Sequence, residues 1–352
     1  MVAVVAGLMA CGSVEPEAES ALPPPGSAGS VVTVDLALAN IVPANYQIEK
    51  LRGGFTFVEG PVWVRKNGPF LLFSDIPENG IYKWMPDGTI TDFLRPVFEG
   101  QYEEGRLVGA SGLTLDPEGR VVIAEQGGRR ISRLESDGSR RMLVEQFEGR
   151  RLNSPNDLVY KSDGWLYFTD PPFGLLQQDD DPSKELAYNG IFRLSPEGKL
   201  ELLDRSQTRP NGIAFSPDEK TLYVSNSDPN QKLWMAYEVG DDGAIGRGRV
   251  FLDVTSETLS GLPDGLKTDK LGNIYATGPG GVWIFSPEGR HLGTIRPEEV
   301  PANVAWGDDG KTLYMTARTG IYRIRLNTEG PLLQAARRAN SSPPNETYPT
   351  VR

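Results

Sequence analysis

Six short stretches of the chain open alike, and each places a side-chain oxygen at the same step. They are Glu59 in VEGPVWV (58–64), Ser111 in ASGLTLD (110–116), Asn156 in PNDLVYK (155–161), Asn211 in PNGIAFS (210–216), Asp264 in PDGLKTD (263–269) and Asn303 in ANVAWGD (302–308). Two carboxylates and three amides are the donor mix a hard cation such as calcium takes, with two charges to match a divalent ion. Each residue alone also has a plainer reading. Asn211-Gly212 and Asp264-Gly265 are turn dipeptides, and Asn156-Asp157 can cap a turn. Phase separates the two readings: Pro86-Asp87-Gly88 falls between later strands of its repeat, whereas Pro263-Asp264-Gly265 falls at an opening. Glu59 is the sharpest of the six. Glutamate does not favour turns, and here it sits inside an apolar run, FTFVEGPVWV, where a buried carboxylate needs a partner or a shifted pKa.

Other chemistry is scarce. The chain has one histidine, His291, and one cysteine, Cys11, so a Ser-His-Asp triad, a Cys-His pair or a histidine-rich zinc site would have to be built around His291. That residue lies in PEGRHLGTI and reads as a turn histidine. Hydrolysis would therefore rest on carboxylates, amides and a hard cation, with zinc and copper disfavoured. A net charge of −11, from 36 basic and 47 acidic residues, argues against nucleic acid as a partner. No apolar run reaches the roughly 18–20 residues of a membrane-spanning helix.

The elements that must position these side chains form a repeat. After each opening comes a turn such as DPEG, SPDE or GDDG, then a second apolar run (FLLFSD, VVIAEQ, WLYFTD, TLYVSN, NIYATG, TLYMTA). A third run follows, for example GIYKWM, GIFRLS or GIYRIR. Short runs rich in Val, Ile, Leu and aromatics between turn residues read as strands, and six units of this kind predict an all-β, six-bladed β-propeller. The last unit has only three clear strands, and residues 45–52 would supply the fourth, so 45–328 reads as one domain. In a propeller the first strand of each blade lines the central channel, and the six openings would ring one mouth of it. Loops after the second strands would open on the same mouth and offer substrate contacts from Glu125, Arg129 and Asp170, beside Ser111, Asn156 and Asn303. Residues 171–189 and 95–109 are long connections placed to cover it, although Asp179–Asp181 read as a solvated run.

Residues 1–11, ending Leu8-Met9-Ala10-Cys11, resemble a bacterial lipobox, although no Lys or Arg precedes the apolar stretch. They predict an exported protein, periplasmic or tethered to a membrane through lipid on Cys11. Residues 12–44 and 329–352 read as a flexible tether and tail.

The stretches FVEGPVW, SPNDLVY with GWLYFTDPPFGL, RPNGIAFSPDEKTLYVSNS, LPDGLKTDKLGNIYAT and TLYMTA resemble the senescence-marker-protein/gluconolactonase/luciferin-regenerating family over nearly the whole domain. The resemblance implies a six-bladed propeller with one catalytic divalent metal, usually calcium. It implies Glu59, Asn211 and Asp264 as metal ligands and Asn156 as a ligand of metal or substrate. The expected reaction is opening of a small lactone, with gluconolactone the default. Calcium would polarise the carbonyl, and Asp264 would assist the attack of water. A phosphotriesterase-like hydrolase and a non-catalytic, surface-bound ligand-binding propeller are the alternatives. Two departures bear on the substrate. Glu125-Gln126-Gly127 stands where many bacterial relatives have a histidine, and Ser154 stands where some animal-type members have an arginine, a role Arg151 or Arg129 would have to take.

Overall fold

A computed structural model describes residues 23–66 and 68–331. The described chain is built almost wholly of strands, in six four-stranded antiparallel units. Near-continuous apolar runs such as Phe70–Asp75, Val121–Glu125 and Thr312–Ala317 are buried along their whole length, which leaves each unit with two faces to bury. Neighbouring units bury those faces against each other, and Trp63 of the first blade stacks on Tyr314 of the last at 5.0 Å. The innermost strands are Val58–Val64, Ala110–Leu115, Leu158–Tyr160, Pro210–Phe215, Leu266–Thr268 and Pro301–Gly307. They touch one another in cyclic order, so the ring closes as a six-bladed propeller around a central channel.

Closure uses the start of the chain. Ile48–Gly53 pairs antiparallel with Gly320–Arg325 and completes the sixth blade. The segment ahead of it corrects the reading of 12–44 as a tether. Gly29–Thr33 adds a fifth strand to the fifth blade, paired with His291–Pro297. A 3-10 turn, Leu36–Asn40, follows, capped by Asp35 through the Ala37 amide at 2.8 Å. Val31, Leu38, Ile41 and Val42 are buried among the side chains of blades five and six, which is why a stretch with weak periodicity is nonetheless ordered. One strand on each of two adjacent blades thus clasps the ring where it would otherwise open. Leu38→Ala is expected to cost about 2–5 kcal/mol, read as a lower urea midpoint at unchanged slope. At the other end, Glu329 pairs with Lys270 and the Gly330 amide donates to the Gly310 carbonyl at 2.9 Å, so the fold runs slightly past 328. The lipobox-like segment 1–11 with Cys11, residues 12–22 of the expected tether and residues 332–352 of the expected tail lie outside the described residues. No helix among the described residues is long and apolar enough to cross a membrane.

The insertion 171–189 lies over the second and third blades as a strap. Ser154 Oγ donates to the Pro171 carbonyl at 2.6 Å and accepts from the Gly174 amide at 2.9 Å. Arg106 donates to the Gly174 carbonyl at 2.8 Å and Arg129 to that of Ser183 at 2.8 Å. Asp179 pairs with Arg209, so this part of the acidic run is engaged as well as exposed.

Candidate functional site

Each ring residue owes its direction to an irregularity in its innermost strand. The register between first and second strands shifts between Glu59 and Val62, Ala110 and Leu113, Pro210 and Ile213, and Pro301 and Asn303. Bulges of this kind turn a side chain out of the sheet's alternation. In blades three and five, regular pairing begins only at Leu158 and Leu266, just after Asn156 and Asp264. Hydroxyls on the second strands fix these bends from the preceding blade. Ser74 Oγ donates to the Ser111 carbonyl at 2.8 Å, Thr169 Oγ1 to that of Asn211 at 2.7 Å and Thr277 Oγ1 to that of Ala302 at 2.8 Å.

Two glycines are required by the close approach of the blades. Gly60 has φ +54°, and a Cβ there would lie 2.2 Å from the Ser111 carbonyl oxygen. A Cβ on Gly265 would lie 2.0 Å from Asn303 Cγ. Gly265→Ala is therefore expected to push Asn303 off Glu59 and to destabilise the fold by about 1–3 kcal/mol, checked by denaturant unfolding and by loss of cation binding.

The structure brings Glu59, Asn211, Asp264 and Asn303 together at the mouth. Glu59 is buried, and its Oε2 accepts from the Gly60 amide at 2.5 Å and from Asn303 Nδ2 at 2.9 Å. Burial pushes its carboxyl up to about 7; the charge of Asp157 adds to the rise, while the Gly60 and Asn303 donors and Lys267 oppose it. Asp264, half-buried, is pushed well above the usual carboxylate range, first by burial and then by the charges of Glu59 and Asp157. Asn211 opposes that rise by hydrogen bonding to Asp264, and its Nδ2 donates to Ser227 Oγ at 2.9 Å. Asn156 holds its place through its backbone, donating to the Thr169 carbonyl at 2.9 Å and accepting from the Gly112 amide at 2.7 Å. Its side-chain amide makes no hydrogen bond to another described residue.

Asn303 donates its amide to Glu59 and accepts the Val304 amide on Oδ1 at 2.8 Å, so its side chain fixes the Glu59 carboxylate. Ser111 is buried beside Gly60, with its carbonyl held by Ser74. Three expected substrate contacts are corrected. Glu125 is fully buried and taken up by Arg130 at 2.8 Å and by Ser132, within its own blade. Arg129 is 2% exposed and donates to the carbonyls of Leu152 and Ser183, stapling the strap. Asp170 is fully buried and accepts from the Asn153 and Ser154 amides at 2.7 and 2.8 Å, shaping the loop that leads to Asn156. Asp75 does the same in the first blade, taking the Thr56 and Phe57 amides ahead of Glu59. These residues stand at the right end of the propeller, but their side chains turn into the loops and not into the channel.

Sequence reading missed Asp157 and Lys267. Asp157 is 2% exposed, with Oδ1 on the Leu158 amide at 2.8 Å and Oδ2 3.7 Å from Lys267 Nζ. Both signals were visible as charged residues, Lys267 inside an innermost strand and Asp157 immediately ahead of one. The Ser and Thr that precede the last residue of second strands, as in FLLFSD, WLYFTD and NIYATG, were likewise legible.

The donor set fits a hard cation. The charge of Glu59 raises the proton affinity of Asp264, and Asn211 hydrogen-bonds to Asp264 beside it. Among the described residues, no three carboxylate, imidazole or thiolate groups converge on one point, so two carboxylates completed by amides would hold the ion. His291 is remote, stacked on Trp283 at 4.2 Å in the outer part of the fifth blade, and burial pushes its pKa down to about 4. A groove of about 860 Å³ lies elsewhere, beside Tyr188, Leu202, Arg205 and Ile245, and contains none of the ring residues.

Residues 57–319 match the profile described as the SMP-30/Gluconolactonase/LRE-like region. A gluconolactonase of Zymomonas mobilis is 40% identical over 317 residues, covering 86% of this chain and 87% of that one. A 6-deoxy-6-sulfogluconolactonase of Pseudomonas putida is 30% identical over 268 residues, 74% of this chain and 82% of that one. Among solved structures, a gluconolactonase of Xanthomonas campestris superposes with a TM-score of 0.74 at 31% identity, over 88% of this chain and 98% of that one. With the six blades and the ring of oxygen donors at one mouth, these matches place the chain in the SMP-30/gluconolactonase/LRE-like family.

Proposed function

We propose that the chain is a divalent-cation-dependent lactonase that opens a small sugar lactone of the gluconolactone type at the channel mouth. The observation that carries this reading is that half-buried Asp264 feels the charge of buried Glu59 beside the Asn211 amide, an arrangement that a bound cation relieves. Glu59, Asn211, Asp264 and Asn156 would hold that ion, calcium in the first instance, which supplies Lewis-acid polarisation of a carbonyl. Asp264 is the candidate general base: it is a half-buried carboxylate at the mouth, beside Glu59 and Asn211. Asn303 fixes Glu59, Ser227 fixes Asn211, and the uncommitted Asn156 amide is placed to orient a ring hydroxyl.

The test is a substrate panel at one pH with calcium present. Gluconolactone should exceed δ-valerolactone in kcat/KM by at least about tenfold, because a site that hydrogen-bonds hydroxyls rejects a ring that lacks them. A phosphotriester turned over faster than every lactone would replace the reading with the phosphotriesterase alternative. Calcium binding with no turnover on the panel would leave a ligand-binding propeller.

A further inference from the structure

Two residues break the repeat at the channel wall, and they meet. The step after each ring residue is Gly60, Gly112, Gly212, Gly265 or Val304, but in the third blade it is Asp157. Three steps after each ring residue stand Val62, Thr114, Val159, Ala214 and Trp306, none of them charged, but in the fifth blade it is Lys267. These two lie on blades two apart, yet Lys267 Nζ reaches to 3.7 Å from Asp157 Oδ2 across the inner edge of blade four, whose Ile213 amide is 3.4 Å from the same oxygen. The Leu266 carbonyl accepts from Nζ at 3.0 Å and fixes the ammonium there. Asp157 is buried, Lys267 is half-buried, and both act electrostatically on Glu59.

We propose that Lys267 is a specificity-determining residue, the fixed counter-cation of Asp157, and that it leaves the mouth with the net charge of two carboxylates and so selects a divalent over a trivalent ion. Glu59, Asp157 and Asp264 contribute three negative charges, and Lys267 removes one. Without Lys267 the same donors face the ion with one more negative charge, which favours every cation but a trivalent one most. The inference rests on the cation-binding reading of the ring, and its test does not use activity.

The experiment is direct titration of the metal-free, full-length chain with Ca²⁺ and with Tb³⁺ at pH 8. It compares wild type, Lys267→Met, Asp157→Asn and the double variant. Lys267→Met should raise the Tb³⁺-to-Ca²⁺ affinity ratio at least about tenfold, Asp157→Asn should lower it, and the double variant should return to within about threefold of wild type. Lys267→Arg keeps the charge and should keep the ratio. An unchanged ratio in Lys267→Met, or a double variant that does not return, overturns the inference while leaving the cation site standing. Failure of the wild type to bind either ion overturns the cation reading itself, and this inference with it. If Lys267→Met does not fold, Lys267→Gln makes the same charge change with a polar head for the Leu266 carbonyl.

Discussion

Asp264→Asn is expected to lower kcat for lactone opening by about 10²–10⁴-fold while the protein stays folded. The substitution keeps the shape of the side chain and removes both the proposed base and one of the two charges proposed to hold the cation. Its effect on stability should run the other way. Asp264 is crowded by the charges of Glu59 and Asp157, so neutralising it removes repulsion that the metal-free protein must otherwise bear. The metal-free variant should therefore melt at a higher temperature than metal-free wild type at pH 8. Loss of activity together with gained stability is the mark of a functional residue, since a structural one would lose both. A variant with wild-type kcat would remove Asp264 from the chemistry.

The second large effect is on pH dependence. In the metal-free protein Glu59 titrates near 7, above its ordinary 4.5, because burial penalises its charge. Between those values the folded chain keeps a proton that the unfolded chain has released. Its contribution is therefore fully present below about pH 4.5 and lost as pH rises through 7. For Glu59 alone the loss is roughly 3 kcal/mol. Asp264 works in the same direction, and so does Asp170, which burial pushes to about 7. Chelator-treated protein should melt higher at pH 5 than at pH 8. Excess calcium should raise the melting temperature strongly at pH 8 and weakly at pH 5, where protons hold the carboxylates. A calcium shift of equal size at both pH values would show that the titrating carboxylates are not the cation's ligands.

Much of this was legible in the chain because a repeat supplies its own alignment. Six copies of one strand pattern gave the blades, and the common phase of Glu59, Ser111, Asn156, Asn211, Asp264 and Asn303 marked one mouth. What a pattern of types cannot show is where a side chain turns. Glu125 and Asp170 end their strands and Arg129 lies in the turn after Glu125, yet each is drawn into backbone or intrablade partners that depend on three-dimensional packing. The fifth strand at Gly29–Thr33 was hidden for a related reason: its order comes from docking on blade five, with Gly293 leaving room for Leu38, and not from its own periodicity. Asp157 and Lys267 were plain in the sequence as breaks in the repeat, but their meeting across blade four was not.

The most direct test of the central claim is gluconolactone hydrolysis by chelator-stripped protein, followed as calcium is returned at pH 8. The ring of carboxylates and amides predicts turnover near the uncatalysed rate without the ion and recovery that saturates at one calcium per chain. Full turnover in the stripped protein, unmoved by calcium, would contradict it.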